Sequence, residues 1–132
     1  MQDDIEIAES CIYISDNATN NVGEICALTL SMRLLVEYKH ITKYTAVEFV
    51  CDSKYVIYAV ENKAAWLRKS KLPNREHVME LYQAMSELED AGFSIARMRW
   101  VKGHSDNVHN ARCDIIARTA AEKGVGYTWL LE

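Results

Sequence analysis

The chain has 132 residues, 49% hydrophobic and 26% charged, which is enough apolar material for one globular domain and too much for a disordered segment. No apolar run approaches the roughly eighteen residues needed to cross a membrane, and the opening MQDDIEI has neither the basic start nor the apolar centre of a secretion signal, so a cytoplasmic protein with no membrane partner is expected. A formal net charge of −4 argues against coating nucleic acid by bulk attraction, and Cys11, Cys26, Cys51 and Cys113 form no C-x-x-C pair that would suggest a zinc site.

With no linker and no internal repeat, residues 1–132 read as a single α/β domain. IEIAESCIYI at 5–14 is isoleucine-rich and free of Gly and Pro, a strand that ends in the polar turn SDNATNN. Thr19 or Asn20 can cap the next helix, in which Ile25, Leu28, Met32 and Leu35 recur at helical spacing and which should run to about Tyr38. AVEFVC at 46–51 is a short β-rich run, and Ser53 stands where an N-cap belongs ahead of YVIYAVENKAAW, the opening of a βα unit.

From Lys54 to Arg75 six basic residues (Lys54, Lys63, Arg68, Lys69, Lys71, Arg75) face one acid, Glu61. This segment is either a solvated mixed-charge surface or a phosphate-binding ridge interleaved with Trp66. Pro73 breaks the pattern before a helix over about 75–90, with Val78, Leu81, Tyr82, Met85 and Leu88 on one stripe and Gly92 as its stop. SIARMRWV at 94–101 alternates as a strand with Ala96, Met98 and Trp100 on one face and arginines on the other. The loop KGHSDNVHN then leads to a helix from about Val108 to Lys123, stopped by Gly124. The order β-α-β-α-α-β-α fits helices packed on a largely parallel sheet.

Three acids fall where this scaffold could gather them: Glu24 near its helix start, Asp52 at the carboxyl end of its strand, and Asp114 in the last helix. Ligand sites in open α/β sheets collect at the carboxyl ends of strands. Converging carboxylates would repel one another unless a cation sat among them, and Mg²⁺ suits such hard oxygen donors. Each acid also has an ordinary explanation: Glu24 complements a helix N-terminus, Asp52 is a turn residue, and Asp114 pairs with Arg118 one turn on.

The stretches TNNVGEICAL, VEFVCDSKYVIYAV and WVKGHSDNVHNARCDIIARTAA resemble, in this order and at compatible spacing, three motifs of the type 1 ribonuclease H family. The resemblance runs from about Ile5 to Ala121, and the last motif is the most specific. It implies the ribonuclease H-like fold, a mixed sheet flanked by helices, and a metal-dependent endonuclease that hydrolyses the RNA strand of RNA–DNA hybrids. By it, Glu24, Asp52 and Asp114 look like three of the family's four metal-binding carboxylates, for Mg²⁺ or Mn²⁺ in its place. His104 resembles the mobile histidine that assists protonation or product departure, a role suited to an imidazole as a side-chain type. Asn20 and Asn21 match the asparagines that meet the hybrid's minor groove, where the 2′-hydroxyl separates RNA from DNA. Ser53, Lys54 and Asn110 match substrate-side positions, and Trp66, Arg68 and Lys69 resemble a shortened basic protrusion.

The departure is at the front. The family begins with two further strands, the first of which carries the fourth carboxylate in a D-G-S or D-G-A context, and this chain contains no D-G dipeptide. IEIAESCIYI aligns best with the family's third strand, so the first two are expected to be absent. Three arrangements remain open: a fragment starting at an internal Met1, a second copy or a partner chain supplying the strands, or an N-terminal segment bringing Asp3, Asp4 or Asp16 in place of the lost acid. Low or absent activity of the isolated chain is the corresponding expectation, and a catalytically inactive module that binds hybrid or duplex RNA is the alternative reading.

Overall fold

The β-rich run at 46–51 and the polar step after it build the unit that positions everything else. The structure, a computed structural model, describes residues 8–11, 20–41, 45–102, 115 and 127–130, with only the backbone described for 8–11, 41 and 127–130. The elements are β1 (Ala8–Cys11), α1 (Asn20–Glu37), a 3₁₀ turn (Lys39–Ile41), β2 (Ala46–Cys51), α2 (Lys54–Glu61), α3 (Lys63–Leu67), α4 (Arg75–Asp90), β3 (Ser94–Trp100) and β4 (Tyr127–Leu130). This is the α/β mixture of helices and strands expected from the sequence.

β2 and β3 pair in parallel, from Ala46 opposite Ser94 to Cys51 opposite Trp100. β1 pairs antiparallel with β4, Ala8 opposite Leu130 and Cys11 opposite Tyr127. The described part of the first strand therefore lies within the expected 5–14, whereas β4 was not legible in advance.

α1 and α4 pack against each other beneath the parallel pair. Ile25, Leu28 and Met32 of α1 meet Val78, Leu81, Tyr82, Ala84 and Leu88 of α4 in one core with Phe49 of β2, Val56 and Ala59 of α2, Leu72 and Phe93. These are the two helical stripes read from the sequence, with Leu35 and Met85 half-buried at their margins. The one buried polar side chain of α1, Thr29, is satisfied because its hydroxyl donates to the Ile25 carbonyl at 2.9 Å. Arg33 crosses from α1 to Glu80 (2.9 Å) and Glu87 (3.5 Å) of α4; these groups are too exposed to contribute more than about 1 kcal/mol each.

Gly92 ends α4 as expected, with φ +96. The Phe93 N–H donates to the Leu88 carbonyl (3.1 Å) and the Gly92 N–H to that of Glu89 (2.9 Å), the two bonds of a Schellman turn, and Phe93 and Leu88 are both buried in the core. Only a residue free to enter the left-handed region closes this turn without strain.

Two details differ from the regular pattern. The helix after Ser53 is interrupted at Asn62 (φ −109, ψ 30), whose side-chain amide bonds back to the Tyr58 carbonyl, so α2 and α3 are separate. In β3 the register shifts between Val47 opposite Ile95 and Glu48 opposite Arg97, leaving Ala96 as an extra residue. Simple alternation put Ala96 on the face of Met98; instead Ile95 and Met98 pack on the core, Ala96 is exposed, and Arg97 and Arg99 reach Glu48 on the other face (4.0 and 3.4 Å). The last helix, expected at 108–123, lies outside the described residues except Ile115, which is helical and exposed. Among the described residues no helix is long and apolar enough to cross a membrane.

Candidate functional site

Asp52 directly follows the last residue of β2, at the carboxyl end of the parallel pair. Three interactions fix the chain around it. The Val101 N–H donates to the Cys51 carbonyl at 2.9 Å, extending the β ladder by one rung. The Trp100 indole N–H donates to the Asp52 carbonyl at 3.3 Å. Ser53, in extended backbone (φ −109, ψ 116), caps α2 by accepting from the Val56 N–H at 3.3 Å. The cap foreseen for Ser53 is thus observed, and it turns the chain from strand to helix within two residues.

Lys54 begins α2 and places its ammonium 4.7 Å from the centre of the exposed Trp100 ring, a cation–π contact. Tyr55 follows. The interruption at Asn62 lets α3 double back, so that the Trp66 ring packs against Tyr55 at 5.4 Å with the planes 52° apart. Asn74, in the left-handed region at φ 56, donates from its amide to the Tyr55 hydroxyl at 3.3 Å, and Lys69 lies 5.0 Å from the Trp66 ring centre. Arg68 is exposed beside it. Tyr55 therefore joins the basic segment to the first turn of α2, one residue past Lys54, a link that sequence spacing did not reveal.

Glu24 is half-buried one turn into α1, in register with Asn20 four residues earlier; Asn20 and Asn21 are exposed at the helix start. α1 packs against α2, the helix that Asp52 precedes. Of the residues singled out from the sequence, the structure places Asp52, Ser53 and Lys54 together, ties Trp66 and Lys69 to them through Tyr55, and sets Glu24, Asn20 and Asn21 on the neighbouring helix. His104, Asn110 and Asp114 lie outside the described residues, as do Asp3, Asp4 and Asp16. Trp100 is the member of this cluster that sequence reasoning assigned only to a strand face.

The described donors are chemically suited to Mg²⁺. The carboxylates of Glu24 and Asp52, each half-buried, offer hard oxygen donors. Among the described residues no group of three His, Cys, Asp or Glu side chains gathers, and the third carboxylate singled out, Asp114, is not one of those residues.

The profile of the RNase H family matches residues 6–122. The chain is 38% identical over 112 residues to the ribonuclease H of Nitratidesulfovibrio vulgaris strain Miyazaki F, covering 78% of this chain and 64% of that protein. It is 33% identical over 112 residues to the ribonuclease HI of Helicobacter pylori, covering 83% and 71%, and 31% identical over 114 residues to the ribonuclease H of Desulforamulus reducens, covering 81% and 65%. The fold and these matches define an α/β domain of the ribonuclease H class. The chain belongs to the type 1 ribonuclease H family, and it spans slightly under two thirds of the first of these relatives, 64% of its length.

Proposed function

We propose that this chain is a metal-dependent endonuclease that hydrolyses the RNA strand of RNA–DNA hybrids in the cytoplasm. The observation that carries this reading is the placement of Asp52 at the carboxyl end of a parallel β-α unit, next to Lys54 and ahead of α2, which packs against the helix bearing Glu24, in a chain of the ribonuclease H family. Glu24, Asp52 and Asp114 would hold Mg²⁺, or Mn²⁺ in its place, and the bound ion would supply Lewis-acid polarisation of the phosphate and activation of a water.

The chain's own residues do the remaining work. Asn20 and Asn21, exposed at the start of α1, read the minor groove of the hybrid and its 2′-hydroxyls. Lys54, with Arg68 and Lys69 beyond Trp66, holds the phosphate backbone; three such contacts give binding that weakens steeply with salt. Ser53 shapes the turn that presents Asp52 to the scissile phosphate, and Asn110 lies on the same substrate side. His104 delivers a proton to the leaving oxygen or helps product depart. This sequence holds no D-G dipeptide to mark the family's fourth carboxylate, and low activity of the isolated 132-residue chain is part of the reading.

The test is cleavage of an end-labelled RNA–DNA hybrid by the 132-residue chain with Mg²⁺ or Mn²⁺, beside its Asp52→Asn variant. Metal-dependent cutting that the variant loses supports the reading. Equal cutting by both proteins refutes the site. A folded chain that binds the hybrid without cutting it, and binds no more weakly as Asp52→Asn, is a binding module or a fragment awaiting its front strands, and not by itself a nuclease.

A further inference from the structure

We propose that Trp100 is a positioning residue for this site: its indole N–H fixes the main chain at Asp52 while its ring face holds the Lys54 ammonium at the site's edge. The inference deepens the nuclease reading and rests on it.

The direction of a side chain is set by the two peptide planes that flank its Cα. For Asp52 the preceding plane carries the Cys51 carbonyl, held by the Val101 N–H at 2.9 Å. The following plane carries the Asp52 carbonyl, held by the Trp100 indole at 3.3 Å. The last residue of β3 and the residue after it thus grip both planes, Val101 with its backbone and Trp100 with its side chain. The second grip matters because the ladder has ended: β2 stops at Cys51, and the Asp52 carbonyl lies before α2 begins at Lys54. The indole thus adds a side-chain hold on the main chain at the point where the strand ladder ends.

The same ring serves Lys54. Trp100 is 45% exposed, a high value for so large an apolar side chain at the end of a strand, and one of its faces lies 4.7 Å from the Lys54 ammonium. The N–H edge and the π-face therefore act on residues two apart in sequence, Asp52 and Lys54, on either side of the Ser53 cap. A phenylalanine would keep the face and lose the edge, which separates the two roles experimentally.

Mn²⁺ affinity, followed by the electron paramagnetic resonance of the free ion, is compared for the wild-type chain, Trp100→Phe, Trp100→Leu and Asp52→Asn, together with hybrid affinity and, where cleavage is seen, kcat and KM. Trp100→Phe is expected to weaken Mn²⁺ binding about two- to tenfold, the worth of one hydrogen bond, and to lower kcat with KM and hybrid affinity unchanged. Trp100→Leu should show the same loss and also weaken hybrid binding about two- to fivefold, the worth of an exposed cation–π contact. Wild-type metal affinity in Trp100→Phe, with Asp52→Asn impaired, overturns the inference and leaves the site reading standing. If Asp52→Asn also matches the wild type, both fall. Should the Trp100 variants not fold, the wild-type protein suffices: the Trp100 indole N–H resonance, assigned through its contact with the Lys54 side chain, should exchange slowly and shift on addition of Mg²⁺. Fast exchange or an unmoved resonance overturns the inference.

Discussion

Tyr82→Phe tests how the helix that starts beside Asp52 is held at its other end. Tyr82 of α4 is 4% exposed, and its hydroxyl donates to the Ala59 carbonyl at 2.8 Å. Ala59 is among the last four residues of α2, whose carbonyls an isolated helix leaves unpaired, so the phenol acts as a cap supplied by a neighbouring helix. The substitution keeps the ring, its packing and the Lys63 ammonium 5.4 Å from the ring centre. What it removes is one bond to an acceptor on a residue with no exposed surface. Stranding that acceptor costs about 1–3 kcal/mol, more than the net worth of an average hydrogen bond. The midpoint of thermal unfolding should therefore fall by roughly 3–15 °C in a chain of this size. Burial, and secondarily Tyr55, push the Tyr82 phenol above the ordinary tyrosine range. The folded protein then keeps a proton that the unfolded chain releases near pH of about 10, so this stabilisation is complete below that pH and is lost as pH rises through the folded value. Urea unfolding followed by circular dichroism, at neutral pH and above pH of about 10, measures both effects. A neutral-pH loss under about 0.5 kcal/mol, or a gap between the two proteins that stays constant into alkali, would refute the reasoning.

Leu81, fully buried between α1 and α4, should lose about 2–5 kcal/mol on truncation to alanine, measured by the same unfolding experiment, because the cavity lies where two helices and a sheet already fill the space. Gly92→Ala should cost about 1 kcal/mol although a Cβ there meets nothing within 4 Å, since the penalty comes from the φ of +96 and not from a clash; Gly92→Asn should recover part of it. Cys26, whose thiol is pushed upward by burial and then by the Glu80 charge, and whose sulfur lies 3.6 Å from His77 Nδ1, should alkylate with iodoacetamide far more slowly in the folded chain than in urea at pH about 8, as read by peptide mass spectrometry.

Much of the fold was legible because local and global signals agreed. The stripe of Val78, Leu81, Tyr82 and Leu88 marked α4 by its period, and Pro73 and Gly92 marked its ends by backbone chemistry alone. Ser53 declared the strand-to-helix turn because a hydroxyl before a helix has one favourable use, and the structure shows that use. β4 was missed because four residues with two aromatics carry no clear alternation, and a strand of that length is specified by its partner more than by itself. The interruption at Asn62 was missed for a related reason: asparagine is tolerated within a helix, and it is the backbone at φ −109, ψ 30, with the side-chain bond to Tyr58, that shows it ends one.

Trp100 shows why a site can be half-readable. Asp52 was identified by motif and by its place at a strand's carboxyl end, two signals that are local to the chain around it. Its partner is 48 residues away, and what brings the indole to it is register. A regular pleat that sent Met98 and Trp100 toward the helices would send Ile95 to the opposite face, with Arg97 and Arg99, and would leave the core short of an apolar side chain. The extra residue at Ala96 removes that conflict: Ile95 and Met98 both pack on the core, the two arginines share Glu48 on the far face, and Trp100 arrives opposite Cys51 with its N–H at the next carbonyl. Bulges cluster beside functional sites because they re-aim side chains without altering the sheet that carries them. In this strand the adjustment lies four residues before the tryptophan it serves, and no property of Ala96 as a residue type announces it.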